Sequence, residues 1–391
     1  MSAIDWRRIC VVACLASSYV TAATAGEVTL TRGENVVVVR IDGEVSCALT
    51  VDPHWNKPYF QPVSVPGSWD ILAENLANPP PDESAAGGQL FVAVEEAEVR
   101  AFDAVHNRAE YGEILTASEV NDGFAYVADR EGWISLGDVV PVAAMVTRIV
   151  NESPPEDLER EHPLYYDHPH HKGIWNTLDE INGINFWGEG GVVRNVSVEL
   201  IEPIGPSASL RMVNHWVDAN SEPVLIETTT VTFFDNRLYV FDIQLTAGAN
   251  DVTFGDTKEG MLAIRVPNSM REFIGGGPIV NSDGLVGTAE CWGKTANWVD
   301  YVGPIDGRTF GVTLMDHPDN FHPSRYHVRD YGLFSINAFG DNAYTEGELP
   351  EVPFVLGAGE SVAMRYGLFI HRDGTEAGGV SAAFEQFVSA E

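Results

Sequence analysis

Basic side chains are scarce in this chain: its 391 residues hold 23 Lys and Arg against 57 Asp and Glu, a formal charge of −34. Nucleic acid and anionic membrane surfaces are thereby excluded as expected partners, because their phosphates would be repelled. Cysteine is scarcer still, with four in all. Cys10 and Cys14 lie near the start, which leaves Cys47 and Cys291, too few for a disulfide scaffold. After the first 25 residues there is no uninterrupted apolar run of about 18, so no membrane-spanning helix is expected. Helical periodicity is also nearly missing. Only Gly379 to Ser389 carries it.

What is present begins with a leader-like segment. Arg7 and Arg8 precede the apolar stretch Ile9 to Val20, and Ala23-Thr24-Ala25 offers small residues for cleavage after Ala25. The expected product is exported, to the periplasm or beyond the cell. Lipidation at Cys14 is the alternative, since Val11-Val12-Ala13-Cys14 resembles a lipoprotein box. The remainder reads as strands. Val224 to Phe234 and Leu238 to Leu245 flank the turn pair Asp235-Asn236, with Phe241, Ile243 and Leu245 on one face and Asp242 and Gln244 on the other. Val36 to Ile41, Val196 to Ile201, Leu262 to Val266, Thr309 to Leu314 and Val362 to Ile370 are further β runs. The 37 glycines and 22 prolines punctuate them. An all-β fold, a sandwich or a related closed sheet, follows.

One stretch has its own organisation. Residues 78–88 are a linker rich in Pro, Asp, Ser and Gly. After it, Leu90 to Ala101, Gly112 to Leu115, Gly123 to Val127, Glu131-Gly132-Trp133-Ile134 and Asp138-Val139-Val140-Pro141 form a series of short β runs. This resembles a bacterial SH3-like barrel, placed at 89–144, whose implied ligand is a peptide or cell-wall fragment. Trp133 is expected either in its core or along a shallow groove.

Six of the 11 histidines fall in two windows, Asp167 to Trp175 and Asp316 to Gly332, and each window opens with Asp-His-Pro. Proline favours an extended residue before it, so an extended segment is expected, with His168 and His170 to one side and His171 to the other. Between the windows lies Gly255-Asp256-Thr257-Lys258-Glu259-Gly260. Two acids and a lysine in four residues are costly to bury unpaired, so they are either solvated or form a site. Together the three segments offer an imidazole, a carboxylate and a cation, the set that proton transfer needs.

The same residues carry a family resemblance. Asp167 to Trp175 followed by Asp179 to Trp187, Thr253 to Gly260, Trp292-Gly293-Lys294 with Trp298 to Tyr301, and His317 to Gly332 running on to Gly340 together resemble the PmoA-like family, whose members are often labelled methane oxygenase PmoA. Lys57 to Val63 and Met145 to Arg148 are similar to its opening and continuation. The resemblance implies a large β-sandwich of the galactose-mutarotase or supersandwich kind, running over 26–77 and 145–391 and interrupted by the SH3-like module. The multi-helix membrane subunit behind the label is excluded by the lack of spanning helices.

Three functional readings follow. In the first, an exported carbohydrate-active protein does acid–base chemistry on a sugar or cell-envelope glycan, as an epimerase, lyase or hydrolase. His170 or His171 is the acid and Glu259 or Asp256 the base, with His327 orienting. Lys258 and Arg329 steady negative charge, and Trp175 and Trp187 stack on the sugar. In the second, a single metal ion is the cofactor of an oxidase or oxygenase, held by His168, His170, His317, His322 or His327 with Asp316 or Glu259. In the third, the chain is a non-catalytic envelope binding or scaffold protein whose histidines bond strand carbonyls.

Overall fold

A computed structural model describes residues 26–53, 55–64, 89–92, 94, 96–101, 104–110, 113–141, 168, 170–305 and 307–390. The leader (1–25), the linker (78–88), the 142–144 end of the 89–144 module and Met145 to Arg148 lie outside these residues, as do Asp167 and Pro169.

Two antiparallel sheets face each other. The front sheet has nine strands in the spatial order Ile204–Gly205, Val28–Arg32, Val36–Ile41, Glu44–Thr50, Tyr59–Val63, Ile174–Asn176, Leu262–Arg265, Leu333–Asn337 and Arg325–Val328. The back sheet has eight: Val192–Glu202, Ser207–Val217, Pro223–Phe234, Leu238–Ala247, Ser361–Arg372, Arg308–Asp316, Trp298–Ile305 and Ile279–Asn281. The chain is an all-β protein built on a large β-sandwich. Strands from both sides of residues 89–141 sit in the front sheet, where Tyr59 pairs with Trp175 and Phe60 with Ile174.

Period-two alternation decides which residues enter the sandwich. In Leu238–Ala247 the core takes Tyr239, Phe241, Ile243, Leu245 and Ala247, while Asp242 and Gln244 face out. Phe60 of the front sheet meets Phe233 and Phe241 of the back sheet at ring separations of 6.1 and 5.8 Å. Tyr301 meets Phe334 in the same way at 6.0 Å. The hairpin at Asp235-Asn236 and the terminal helix Val380–Ser389 stand where the sequence places them. Cys47 and Cys291 are both buried and unbridged.

Residues 89–141 form a separate seven-stranded antiparallel sheet, in the order Val139–Pro141, Gln89–Val92, Ile114–Asn121, Phe124–Val127, Gly132–Ser135, Glu96–Ala101 and Ala104–Glu110. Its own apolar cluster includes Leu90, Val99, Leu115, Val127 and Ile134. The single run expected over Leu90 to Ala101 is two strands. Ala104–Glu110 was not foreseen, because its residues are almost all exposed and carry no apolar alternation. Trp133 is half-buried outside that cluster, edge-on to Tyr126 at 5.4 Å.

One glycine controls how the first histidine window joins the front sheet. Gly173 has φ +53°, and a Cβ there would lie 2.0 Å from the Phe60 carbonyl oxygen. Gly173→Ala therefore meets both a left-handed backbone penalty and a steric clash. It is expected to cost on the order of 2–4 kcal/mol. Urea denaturation checks this, and an unshifted midpoint would contradict it.

Candidate functional site

The outer face of the front sheet, away from the sandwich core, carries an unusual row of side chains. In Leu262–Arg265, Leu333–Asn337 and Arg325–Val328 the core takes Leu262, Ile264, Phe334, Ile336, Tyr326 and Val328. The alternate residues therefore lie on the outer face. Register aligns Tyr59 with Trp175, Trp175 with Ala263, Ala263 with Ser335, and Ser335 with His327, one row across five strands. Two small residues, Ala263 and Ser335, thus separate two large rings. Trp175 Nε1 and Ser335 Oγ are buried and have no hydrogen-bond partner among the described residues, and the equally buried His327 ring has only a weak approach to the Lys258 backbone. Buried polar atoms are rarely left so, and each is a place for water or a ligand.

The first histidine window closes over this row as a turn, not as the extended segment expected. The His171 amide donates to the His168 carbonyl at 3.0 Å, a bond that closes a turn. The turn puts His168 and His171 face to face with ring centroids 4.6 Å apart. Tyr331 stacks on His168 at 5.0 Å and Trp175 on His171 at 5.2 Å, giving four successive rings. His170 stands edge-on to His171 at 4.5 Å. Arg265 donates to Nδ1 of His171 at 3.1 Å, which leaves the proton of the neutral ring on Nε2. Burial first, then the charges around it, hold His171 well below the ordinary imidazole range. Burial and the charge on Lys57 bring His170 to about 3. Neither ring is an imidazolium at neutral pH, so the acid role expected of His170 and His171 is corrected: both are neutral hydrogen-bonding groups.

Behind the turn lies a buried charge cluster that the sequence reading missed. Lys57 and Lys172 are buried, and both reach Oε1 of Glu189, Lys57 at 3.3 Å. Asn56 donates to the other carboxylate oxygen at 3.0 Å. Lys57 also lies over the Trp175 ring at 5.3 Å and Lys172 over Trp55 at 5.7 Å. Burial, aided by Lys172 and opposed by Glu189, lowers Lys57 to about 7. Burial alone would raise Glu189, but the two lysines outweigh it and hold it at about 2. The visible signal in sequence is a lysine at the entrance of each of two apolar strands, Lys57-Pro58-Tyr59-Phe60 and Lys172-Gly173-Ile174-Trp175.

The middle segment supplies a carboxyl pair. The Asp179 amide donates to the Glu259 carbonyl at 2.9 Å, which brings the two side chains together. Burial raises both carboxyls. Their mutual hydrogen bond acts in opposite directions, lowering Asp179 and raising Glu259, so Asp179 gives up its proton more readily than Glu259. Lys258 favours the ionised form of each, and the charge of His168 also acts on Glu259. His327 is held at about 3 by burial, then by the charges of Arg329 and Lys258. Residues from all three segments are thus brought near one another: His168, His170 and His171 from the first, Lys258 and Glu259 from the second, His327 and Arg329 from the third.

Other expected members stand elsewhere. Asp256 accepts from the amides of Asn342 and Ala343 at 3.1 and 3.0 Å, anchoring the short helix Asp341–Tyr344, so it is a structural acceptor and not the base. His317 packs on Phe387 at 5.4 Å and accepts from the Asp319 amide. His322 pairs with Asp341 at 3.2 Å, and Asp316 accepts from the Ser324 amide. The expected metal set of His168, His170, His317, His322 and His327 with Asp316 or Glu259 is therefore not assembled. Among the described residues no three His, Cys, Asp or Glu side chains are placed to hold a metal ion. Trp175 and Trp187 are buried in a cluster with Trp55, Tyr59 and Tyr331, where their faces are covered by protein, so neither is a sugar-stacking platform. Asp179, Ser335, Lys57, Lys172, Glu189 and Arg265 stand beside these segments and were not singled out from the sequence.

The fold and these residues define an all-β sandwich protein with a titratable site on one sheet face. The chain belongs to the DUF6807 family, described as a family of unknown function, whose model matches residues 141–385. This match overturns the PmoA-like assignment, although the motif runs from Asp167 to Gly340 that prompted it all lie inside the matched span. Residues 89–140 lie outside the match, and the SH3-like likeness receives no support from it. No curated protein matches the chain in sequence. Among solved structures, a galactose 1-epimerase from Lactobacillus acidophilus NCFM is 9% identical with a TM-score of 0.30, over 89% of this chain and 98% of that one. A polysaccharide lyase is 10% identical with a TM-score of 0.26, over 91% of this chain and 34% of that one. Likeness at this level assigns neither substrate nor reaction. No helix among the described residues is long and apolar enough to cross a membrane.

Glu189→Gln leaves two buried ammonium groups without a counter-charge and is expected to cost about 3–5 kcal/mol, measured by urea denaturation at pH 7. The pH dependence of the parent chain has a definite sign. Lys57 binds a proton near its ordinary 10.5 when unfolded but only at about 7 when folded. Its contribution to stability is therefore fully present above 10.5 and is lost as pH falls through 7. Lys57→Met should flatten that rise, and an unchanged slope would contradict the assignment.

Proposed function

We propose that this protein is an enzyme that transfers protons on a carbohydrate, with epimerisation, elimination or hydrolysis as the outcome. The observation that carries this reading is the carboxyl pair Asp179–Glu259, two hydrogen-bonded carboxyls held side by side near His168 and His327. A general acid and a general base need different protonation states at one pH, and a hydrogen-bonded pair that shares one proton supplies both. Glu259 donates to a developing oxyanion or leaving oxygen, and Asp179 accepts from a hydroxyl or an activated carbon. Lys258 and Arg329 steady the negative charge that develops.

A polyhydroxylated ligand suits the side chains beside this pair. Trp175 Nε1 is a donor only, Ser335 Oγ both donates and accepts, and a neutral His327 has one donor and one acceptor nitrogen. Alternating donors and acceptors beside ring edges are what neighbouring sugar hydroxyls need. Export, with a cell-envelope or environmental glycan as the partner, extends the same proposal from the leader-like sequence of residues 1–25.

Hydrogen–deuterium exchange at sugar carbons in D2O, followed by proton NMR over a panel of mono- and oligosaccharides, tests the reading together with assays for new reducing ends and unsaturated products. Turnover is expected with the parent chain and a loss of at least about 100-fold in Asp179→Asn and Glu259→Gln, the usual scale for removing a general acid or base. Activity should fall as pH drops through the raised Asp179 value, because the protonated base cannot accept, so the acid limb should lie above 3.8. Turnover unaffected by both substitutions, or carbohydrate binding without any turnover, would contradict it.

A further inference from the structure

On the outer face of the back sheet, away from the candidate site, a histidine and an aspartate form a buried pair. Asp300 is 0% and His371 6% exposed. Register sets Asp300 beside Thr313 and Gly311 beside His371, on the neighbouring strands Trp298–Ile305, Arg308–Asp316 and Ser361–Arg372. The imidazole stacks on Phe369 at 5.2 Å and lies in a slot between two backbones. A Cβ on Gly311 would come within 2.3 Å of Nε2, and one on Gly378 within 2.0 Å of Nδ1, so glycine lets both backbones close on the ring. Gly378 belongs to residues 373–379, a strap that leads from the last strand to the terminal helix Val380–Ser389.

The bonds of this ring fix its charge. Nδ1 is 3.1 Å from the Arg372 carbonyl oxygen, and Nε2 is 3.0 Å from Oδ1 of Asp300. A carbonyl and a carboxylate only accept, so both nitrogens donate, and only the imidazolium carries two N–H groups. Asp300 is held from two further sides. Thr313 Oγ1 donates to Oδ1 at 3.0 Å, and Thr375 Oγ1, on the strap, donates to Oδ2 at 2.7 Å. The other titratable group acting on the ring is Asp373, at the start of the strap, while Arg308–Asp316 presents Gly311 and Thr313, which do not titrate. Burial pushes the ring's pKa down, but Asp300, the Arg372 carbonyl and Asp373 outweigh it, and the net shift from 6.5 is upward. Loss of the proton leaves one N–H for two acceptors. It also leaves Asp300 buried with no other cation within ion-pair distance among the described residues.

We propose that His371 is a pH-operated latch: as an imidazolium it pins the 373–379 strap to the back sheet, and on losing its proton it lets the strap open. The strap is closed on itself, with the Gly378 amide on the Gly374 carbonyl at 2.7 Å and the Val380 amide on that of Thr375 at 3.3 Å. Its grip on the sheet runs through the Asp373 amide, which donates to the Thr309 carbonyl at 2.9 Å, and through Thr375 on Asp300. The helix beyond it rests Val380, Ala383 and Phe387 on Leu238, Met315 and Phe369, so opening the strap loosens the start of that helix. The latch contributes fully below the 6.5 of an unfolded histidine, and its contribution is lost as pH rises through the higher folded value. This device is independent of the carbohydrate reading and stands on the opposite sheet.

Hydrogen exchange of the full chain, read by mass spectrometry across neutral to alkaline pH and corrected for base catalysis of exchange itself, tests the latch without any variant. Protection of 373–389 should fall, relative to the sandwich strands, by about tenfold for each pH unit between 6.5 and the folded midpoint, the slope for one proton. Nitrogen-15 NMR of histidine-labelled protein, with His371→Gln to assign the signal, should show both ring nitrogens protonated at pH 7 and a midpoint above 6.5. In His371→Gln the pH dependence of the strap should vanish. A neutral His371 ring at pH 7, strap protection that does not change with pH in the parent, or the same pH dependence in His371→Gln would each overturn the proposal.

Discussion

Two ammonium groups buried against one carboxylate set the terms for everything on the front sheet's outer face. Removing Lys57 and Lys172 from water costs several kcal/mol each, and Glu189, half-buried and held in place by Asn56, offsets part of this. The resulting field spreads outward. Burial first, and this field after it, keep His170 neutral and hold Lys57 near the point of losing its own proton. The same contact has a mechanical consequence. Lys172 belongs to the histidine turn and Lys57 to the strand beneath it, so the ion cluster ties the turn to the sheet. The ring stack from Tyr331 to Trp175 depends on that tie.

The site itself is a product of sheet register. Trp175, Ala263, Ser335 and His327 come from four separate parts of the chain and become neighbours because their strands pair in one row. Small residues fill the middle of the row, large rings stand at its two ends, and all four are buried. The loops then deliver what a strand face cannot: the Asp179–Glu259 pair, brought together by a backbone hydrogen bond, and the cations Lys258 and Arg329. A rigid sheet floor with reactive groups on its margins is a common way for a β-sandwich to hold a small polar ligand.

The fold was largely legible in the sequence, because strand alternation such as Phe241, Ile243 and Leu245 against Asp242 and Gln244 needs no tertiary knowledge. The histidine windows and the Lys258-Glu259 segment also announced themselves, as rare residue types in short compass. Their roles did not. Whether a histidine is an acid depends on burial and on neighbouring cations, and Lys57, the strongest charge acting on His170, lies more than 100 residues away from it. Asp179 stood inside a quoted motif without a role because its partner, Glu259, is remote in sequence. Trp175 and Trp187 were read as sugar platforms since nothing in a sequence tells which face of a ring is covered. Ser335 and Arg265 were passed over inside apolar strands, although a polar residue at alternate positions of Leu262–Arg265 and Leu333–Asn337 marks an outer face with work to do.

Membership of the DUF6807 family places these residues in a span, 141–385, that contains the whole carboxyl pair and both histidine windows. The central claim is that Asp179 and Glu259 share one proton. Carbon-13 NMR titration of the labelled carboxyl groups, with Glu259→Gln to assign the signals, tests it directly. The account predicts two coupled steps seen at both carbons, the upper one above the ordinary values of 3.8 and 4.5, and in the variant a single Asp179 step that burial still holds above 3.8. Two independent titrations at ordinary carboxylate values, unchanged by the substitution, would contradict it.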